Sequence, residues 1–251
     1  MFPKVILHVT DFHFRKKWYE WLALRAAQYD AVCFSGDMLD MFCGPTRAIT
    51  SSKPSSLTRL MAPNPRVSLH QQARWVREWI GNCPGRLYFC TGNHCVFQAA
   101  EGVTDTDADG GWLQKARIDD RVFVDGGEDT INGFRFVCVP WAQKPVVNSS
   151  EPAVVICHAP PEGTAVSSDL GHESGDFEVT EAAALLPAGS LILSGHIHSP
   201  KKWHARVGNT WCLNPGVDFD ATVPNHIEID LLAHTARFIS ARSGIESISL
   251  V

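Results

Sequence analysis

Short apolar runs recur along the chain, separated by polar and glycine-containing segments. In the first half they alternate with longer segments of helical period, such as the one in which Trp18, Leu22 and Ala26 share a face. This alternation predicts a βαβαβ order. The predicted strands cover 4–10, 31–35 and 86–91, and the predicted helices cover 14–28 and 68–82.

The second half of the chain has a different pattern, because short strand-like runs follow one another and only the segment near 179–186 is helical. No internal repeat or linker interrupts this change. The pattern predicts a single domain over 1–251, with two sheets packed face to face and helices outside them. The predicted strands of this half cover 121–125, 134–139, 153–157, 189–194, 202–207, 210–214, 225–231 and 235–241.

Two segments lack strand or helix periodicity. Residues 44–66 are rich in Pro, Ser and Thr and predict a long loop or a small cap inserted into the domain. Residues 101–120 carry many acids and glycines and predict a loop with a short helix. The aspartates of this second segment lack the glycine and terminal glutamate of an EF-hand, so a solvated loop is favoured over a calcium site.

Composition narrows the class of protein. The chain has 251 residues, of which 45% are hydrophobic, and a net charge of −5. This apolar content excludes a disordered chain, and the mild acidity disfavours a general nucleic-acid binder. No apolar stretch approaches the roughly 20 residues that span a bilayer, which predicts no membrane association. Eight cysteines without a CxxC pair predict buried free thiols and a cytoplasmic location.

Polar side chains suited to metal binding follow five of the predicted strands. Because ligands of open α/β sheets bind beyond the carboxyl ends of the strands, these side chains are expected to converge. Seven candidates are too many for one ion, so the pattern predicts two metal ions that share a carboxylate. Imidazole and oxygen ligands without thiolate favour Mn, Fe, Zn, Co or Ni over Mg or Ca. The seven candidates are Asp11, His13, Asp37, Asn93, His158, His196 and His198.

Five short motifs, in this order, resemble those of the calcineurin-like metallophosphoesterases. They are D-x-H at 11–13, G-D-x-x-D at 36–40, G-N-H at 92–94, H-x-P-P at 158–161 and G-H-x-H at 195–198, followed by N-P-G at 214–216. The resemblance implies an α/β fold, a four-layer α/β/β/α sandwich of two mixed sheets with flanking helices. It also implies a site that holds two divalent ions, with Mn favoured.

The resemblance further implies a role for each site residue. One ion takes Asp11, His13, Asp37 and His198, and the other takes Asp37, Asn93, His158 and His196, so that Asp37 bridges them. Metal-activated hydroxide attacks the phosphorus. His94 is the catalytic histidine, which stabilises the phosphoryl group or protonates the leaving oxygen. Asp40 is expected to accept a hydrogen bond from His94 and keep it protonated.

Two departures from the family pattern bear on activity and substrate. Cys95 stands where the family usually has an acid after G-N-H, which puts the rigidity of that loop in question. Met41 and Phe42 follow Asp40 in place of Arg-Gly, unlike the protein-phosphatase branch. His158 followed by Pro-Pro, the short chain and the strand-rich tail resemble those of small bacterial-type phosphodiesterases. Hydrolysis of a small-molecule or nucleotide phosphodiester is therefore the favoured function.

Several alternatives stay open at this stage. A phosphomonoesterase or a nuclease would use the same site, with nucleic acid the less favoured substrate, and a non-catalytic scaffold would keep only the fold. Residues 41–77 contain six Lys and Arg but no Asp or Glu, which fits either a solvated surface or an anion-attracting cap. Trp75 and Trp79 favour helix packing over base stacking. The sequence predicts no particular oligomeric state.

Overall fold

Two mixed β-sheets form the frame of the molecule, in a computed structural model that describes residues 5–40, 67–96, 111–146, 150–169 and 172–251. The loop or cap predicted at 44–66 lies outside these residues, as does most of the acidic segment before 111. The strands of the described residues are β1 (Val5–Val9), β2 (Ala31–Ser35), β3 (Leu87–Cys90), β4 (Val122–Phe123), β5 (Glu128–Ile131), β6 (Phe134–Cys138), β7 (Ala153–Ile156), β8 (Ser168–Asp169), β9 (His172–Glu173), β10 (Leu191–Leu193), β11 (His204–Val207), β12 (Thr210–Leu213), β13 (His226–Asp230), β14 (Thr235–Ser240) and β15 (Gly244–Ser249).

The two large sheets combine parallel and antiparallel strands. The first has the order β15-β14-β13-β1-β2-β3-β4, with β1 to β4 parallel and the three C-terminal strands antiparallel. The second has the order β11-β12-β10-β7-β6-β5, with parallel strands inside and an antiparallel strand at each edge. Strands β8 and β9 form a separate hairpin.

Helices cover the outer faces of both sheets. In the described residues they are α1 (Lys16–Ala26), α2 (Leu69–Asn82), α3 (Gly111–Gln114) and α4 (Phe177–Leu185). Leu22 of α1 and Val76 of α2 belong to the same buried cluster as Phe34 of the first sheet, and Val179 of α4 belongs to the same cluster as Ile192 of the second.

A third apolar layer fills the space between the sheets. There Tyr88 of the first sheet meets Phe136 of the second in a stacked pair with ring centroids 4.8 Å apart, and Cys33 and Leu193 belong to the same cluster. Apolar residues thus occupy both faces of each sheet, as expected for sheets that are covered on two sides. The predicted four-layer α/β/β/α sandwich is confirmed.

The structure corrects several predicted boundaries. Helix α1 begins at Lys16 rather than near 14, because Phe14 has a φ of 56°, outside the helical region. Strands β5, β8, β9 and β15 were not predicted. Strand β15 is exposed along almost its whole length, so its residues show no apolar period that marks a strand.

Two further predictions concern the whole chain. Among the described residues, no helix has both the length and the apolar character that crossing a membrane requires. The seven cysteines in the described part of the chain are free and buried, as predicted, while Cys43 lies outside it.

Candidate metal centre

The polar residues that follow β1, β2, β3, β7 and β10 meet at one edge of the molecule, between the two sheets. This convergence follows from the topology, because the three strands of the first sheet are parallel neighbours and so are the two strands of the second. All seven predicted metal ligands belong to this cluster, which we call the metal centre: Asp11, His13, Asp37, Asn93, His158, His196 and His198.

One half of the metal centre joins residues from the two sheets. The Nε2 atoms of His13 and His198 lie 3.0 Å apart. Asp11 Oδ1 lies 3.7 Å from His13 Nε2 and 3.4 Å from His198 Nε2. Three ligand atoms therefore surround one point, as they would around a single cation.

The other half is centred on Asn93. Its Oδ1 lies 3.1 Å from His158 Nε2 and 3.0 Å from His196 Nδ1. The other ring nitrogen of His158, Nδ1, bonds to the carbonyl of Ser35 at 2.8 Å. This contact turns Nε2 toward the centre, in the way that hydrogen bonds to the second ring nitrogen orient histidine ligands in metal proteins.

Asp37 connects the two halves. Its Oδ2 lies 3.2 Å from His158 Nε2 and 3.8 Å from His13 Nε2. Its Oδ1 accepts the backbone N–H of His94 at 2.8 Å, which fixes the carboxylate in place. One oxygen atom thus faces both groups of ligands.

The donor set fits divalent cations. Asp11 Oδ1 is buried and has no well-aligned hydrogen-bond donor among the described residues, although the ring nitrogens of His13 and His198 lie 3.7 and 3.4 Å from it. A buried carboxylate oxygen without a donor is unfavourable unless a cation satisfies it. Asp11, His13, Asp37 and His158 are almost fully buried, whereas Asn93, His196 and His198 are half-buried and form the open side of the centre.

Charge interactions inside the centre shift several pKa values. Burial opposes the charged form of His158, but the carboxylate of Asp37 outweighs it and raises the pKa of His158 to about 9. Burial likewise disfavours ionisation of Asp37, yet the imidazole of His158 holds the pKa of Asp37 well below its usual range. In the absence of a metal, the protonated imidazole of His158 therefore balances the carboxylate.

The backbone around the ligands is strained. Asp11, His13, Asp37 and His196 have φ values of 55°, 43°, 51° and 67°, in the left-handed region that side chains with a Cβ rarely adopt. Such conformations cost on the order of 1–3 kcal/mol each and concentrate at functional sites. Backbone hydrogen bonds between the loops hold these residues in place, including the one that His13 N–H donates to the carbonyl of Asp37 at 3.0 Å.

Three motif glycines are required by close packing. A Cβ at Gly36 would overlap the ring of His158, one at Gly92 would overlap the carboxylate of Asp37, and one at Gly195 would overlap Thr10. Only glycine therefore allows the loops to approach one another closely enough to bring the ligands together.

His94 lies beside the ligands and is buried. Its Nε2 is 4.0 Å from Asp37 Oδ2, and its ring centroid is 4.6 Å from that of His13. Burial lowers the pKa of His94 to about 4, although the charge of Asp37 opposes this shift. The imidazole is therefore neutral at pH 7 in this state of the protein.

Asp40 is buried near the end of the same loop as Asp37, and α2 holds its backbone. Its N–H donates to Gln72 Oε1 at 2.8 Å, and Gln72 Nε2 donates to its carbonyl at 3.1 Å. The predicted hydrogen bond between the side chains of Asp40 and His94 stays a prediction.

Cys95 has a structural role in the same region. Its sulfur accepts the backbone N–H of Met38 at 3.2 Å, and its carbonyl accepts the indole N–H of Trp112 at 2.8 Å. Burial raises the pKa of the Cys95 thiol to about 12, so it is uncharged at neutral pH. The thiol therefore ties the loop after β3 to the loop after β2.

Two aromatic residues that sequence reasoning did not select border the centre. The ring of Trp141 lies 5.4 Å from those of His158 and His196, and the ring of Phe219 lies 5.6 Å from His13 and 5.1 Å from His198. Neither belongs to a motif. Phe219 follows the N-P-G turn by three residues, which is the one sequence signal near it.

The remaining sequence predictions near the centre have structural outcomes. Asn214 of the N-P-G turn donates Nδ2 to the carbonyls of Gly195 and Ile197, so it supports the loop that carries two ligands. Trp75 and Trp79 pack edge-on against Tyr19, as predicted for a helix face.

Comparisons with known proteins are consistent with this geometry. The sequence model of a family described as calcineurin-like phosphoesterase matches residues 4–200. No curated protein is significantly similar to the chain.

Similar solved structures cover the whole chain at low identity. One covers 100% of both chains with 16% identity and a TM-score of 0.58. The crystal structure of TT1561 of Thermus thermophilus also covers 100% of both, with 12% identity and a TM-score of 0.51. Yfce, a phosphoesterase from E. coli, aligns over 98% of this chain and 100% of its own with 13% identity and a TM-score of 0.47. The first two show a common fold.

Proposed function

The chain belongs to the calcineurin-like phosphoesterase family and is a metal-dependent phosphoesterase, and from this premise we propose that it hydrolyses a phosphodiester with two divalent ions. The position of Asp37 Oδ2 is the observation that carries the proposal, because it faces His158 at 3.2 Å and His13 at 3.8 Å. An oxygen placed between two groups of ligands is what a shared carboxylate of a two-metal site requires.

The proposed ligand sets follow the two halves of the metal centre. Bound there, two cations supply Lewis-acid stabilisation of the phosphoryl oxygens and lower the pKa of water toward 7. Oxygen and imidazole donors favour Mn, with Fe, Zn, Ni and Co as alternatives. The first ion takes Asp11, His13, Asp37 and His198, and the second takes Asp37, Asn93, His158 and His196.

His94 is the proposed general acid. It is neutral at pH 7 because burial lowers its pKa to about 4. An anionic phosphoester close to the ring favours its charged form and raises that pKa. The anionic substrate and the proposed hydrogen bond to Asp40 together favour the protonated imidazole, which gives its proton to the leaving oxygen. Asp40 is the proposed positioning residue that holds the imidazole for this transfer.

A nearby acid such as His94 suits a phosphodiester, because its alkoxide leaving group needs a proton. Met41 and Phe42 after Asp40 also depart from the protein-phosphatase branch that the sequence resembles less. Buried free thiols support a cytoplasmic location.

The decisive experiment compares bis(p-nitrophenyl) phosphate with p-nitrophenyl phosphate. Metal-stripped protein is reconstituted with Mn, Zn, Ni, Co or Mg and assayed beside His94→Ala and Asp37→Ala. We expect metal-dependent cleavage of the diester and no restoration by metal in Asp37→Ala. His94→Ala should lose about 10²–10⁴-fold on a diester with an alkyl leaving group, and less on the p-nitrophenyl diester, because p-nitrophenolate leaves with little help from an acid. Preference for the monoester would replace the proposal with a phosphatase.

Metal binding and turnover together distinguish an enzyme from the scaffold alternative. If the chain is an enzyme, His94→Ala should bind as much metal as the wild type while losing turnover, because His94 is not a proposed ligand. Two bound metals without hydrolysis of either ester in the wild-type protein would favour the scaffold.

A further inference from the structure

A cavity of about 440 Å³ lies next to the metal centre, between the start of α1 and the segment after the N-P-G turn. Its lining includes Arg15, Lys16 and Lys17 on one side, and Phe219 and Asp220 on the other. We call this cavity the Arg15 pocket. Trp18 Nε1 donates to the carbonyl of Ala221 at 3.2 Å and joins the two sides.

One aromatic ring forms a wall between the Arg15 pocket and the metal centre. Phe219 contacts the rings of His13 and His198 edge-on, at centroid distances of 5.6 and 5.1 Å, and it also lines the pocket. Arg15 is two residues from His13 in the chain. A group bound in the pocket is therefore adjacent to whatever is bound at the ligands.

The lining of the Arg15 pocket carries an excess of positive charge. Among the lining residues, Arg15, Lys16 and Lys17 are accompanied by one carboxylate, that of Asp220, while Asp40 and Asp218 act on Arg15 from outside the lining. The guanidinium of the half-buried Arg15 lies 4.8 Å from the centroid of Phe219 and 5.2 Å from that of Trp18. These contacts place a planar, permanently charged donor at the pocket wall, which suits phosphate recognition.

A larger cavity on the other side of the same segment differs in charge balance. It measures about 580 Å³, and its lining includes His198, Lys201, Lys202 and Arg242. There the carboxylate of Asp218 lies 3.4 Å from Arg242 Nε, and Glu246 also lines the cavity. Two carboxylates thus line this cavity with its three Lys and Arg side chains, against one carboxylate for three in the lining of the Arg15 pocket. The Arg15 pocket also lies beside His13 as well as His198, through Phe219.

We propose that the Arg15 pocket binds a second phosphate of the substrate, so that the preferred substrate is a phosphodiester with a further phosphate on one substituent. The volume exceeds the need of a phosphate alone and lies in the usual range of ligand pockets, which leaves room for a sugar against Phe219. A small phosphorylated dinucleotide and an oligonucleotide share this chemistry. The inference rests on the proposed function and specifies its substrate class.

The test uses matched dinucleotides with metal-loaded protein. Thymidylyl-thymidine is compared with its 5′-phosphorylated and 3′-phosphorylated forms, which differ from it only by the second phosphate. We expect kcat/KM to be about tenfold or more higher for one phosphorylated form, as for a charge-assisted contact. In Arg15→Gln the ratio of kcat/KM between the phosphorylated and the unphosphorylated dinucleotide should be less than about 2. In the exposed Lys16→Gln this ratio should decrease by a factor of about 3.

Arg206→Gln is the matched control. Arg206 is on the edge strand β11, where its guanidinium lies 5.5 Å from the centroid of the Trp211 ring, and it lines neither cavity. Its ratio should equal that of the wild type. Single-stranded oligothymidylate of about ten nucleotides distinguishes the two sources of the second phosphate. A loss in Arg15→Gln on this substrate assigns the pocket to oligonucleotides, whereas a loss confined to the dinucleotide assigns it to small nucleotides.

Equal kcat/KM for all three dinucleotides in the wild type would overturn the inference alone, provided that bis(p-nitrophenyl) phosphate is hydrolysed. A preference that survives both Arg15→Gln and Lys16→Gln would also overturn it. Failure to hydrolyse bis(p-nitrophenyl) phosphate with any metal would instead overturn the proposed function, and the inference with it.

Discussion

The sulfur of Cys95 accepts a hydrogen bond from the backbone N–H of Met38, at 3.2 Å. Met38 follows Asp37, the residue between the two halves of the metal centre, and Cys95 follows His94. The thiol thus holds the loop after β3, whose rigidity the missing acid puts in question, to the loop that carries Asp37. The departure from the family pattern keeps a link between the two loops.

Removal of this acceptor should destabilise the protein. In Cys95→Ala the buried N–H of Met38 loses its partner, which costs about 1–3 kcal/mol. Cys95→Ser keeps an acceptor and should be closer to the wild type. The free energy of unfolding in urea, measured on metal-free protein, tests the order wild type, Cys95→Ser, Cys95→Ala.

The control for cavity formation is Cys212→Ala. Cys212 is also fully buried, but its sulfur lies 4.0 Å from the carbonyl of Thr210 and accepts no backbone N–H among the contacts of the described residues. Equal destabilisation by Cys95→Ala and Cys212→Ala would show that the loss at Cys95 is one of packing and not of the hydrogen bond.

Metal content should separate the shared ligand from an unshared one. Asp37→Ala removes the oxygen that faces both halves, so both ions should bind more than about 100-fold more weakly. Asn93→Ala affects one half and should leave about one ion per chain. Metal analysis after dialysis measures both, with the exposed Asp120→Ala as the control. Loss of one ion only in Asp37→Ala would contradict a bridging role.

Metal binding should release a proton from His158. Its pKa of about 9 lies above the value of about 6.5 for a free imidazole. The pairing with Asp37 therefore stabilises the metal-free protein fully below pH 6.5, and this stabilisation is lost as the pH rises through about 9. A histidine ligand must lose its proton, so the apparent affinity should rise by at least about tenfold per pH unit across this window, because burial at His13 is outweighed by Asp11, which raises the pKa of His13 as well.

Calorimetry in two buffers of different ionisation enthalpy measures this proton. At pH 7.5 the heats of metal binding should differ by the difference between the two buffer ionisation enthalpies for each proton released. Equal heats in the two buffers would show that His158 is already neutral in the metal-free protein.

Asp125 should make stability depend on pH in a separate window. Burial raises the pKa of Asp125 to about 6, although its carboxylate accepts both the N–H and the hydroxyl of Thr91 at 2.8 Å. The unfolded chain releases this proton near pH 3.9. Stability should therefore fall as the pH rises from about 4 to about 6, by at most about 3 kcal/mol.

Asp125→Asn removes this titration. The difference in free energy of unfolding between wild type and variant should change between pH 4 and pH 6 and stay constant above pH 6. Asp120→Asn, at an exposed position, serves as the reference. A difference that is flat over the whole range would mean that Asp125 titrates normally.

Much of the fold was predictable because its signals are local. The apolar runs of β1, β2, β3, β7 and β10 are continuous, as expected for strands that are buried on both faces. Strand β15 was missed because it is exposed at the sheet edge and depends on pairing with β14 for its position. Edge strands of this kind show little apolar periodicity, so their formation depends on pairing with the neighbouring strand.

The sequence by itself determined which residues are available for metal binding, since their types, order and positions after strands are properties of the chain. The tertiary structure alone decided the contacts between them. His13 and His198 are 185 positions apart in the chain. They meet only because the two sheets pack face to face with the ends of β1 and β10 close together. The same packing places Asp37 between two groups of ligands, Cys95 under Met38, and Phe219 between the metal centre and the Arg15 pocket. Local spacing carries no information about such contacts, because they depend on how distant strands and loops are held together.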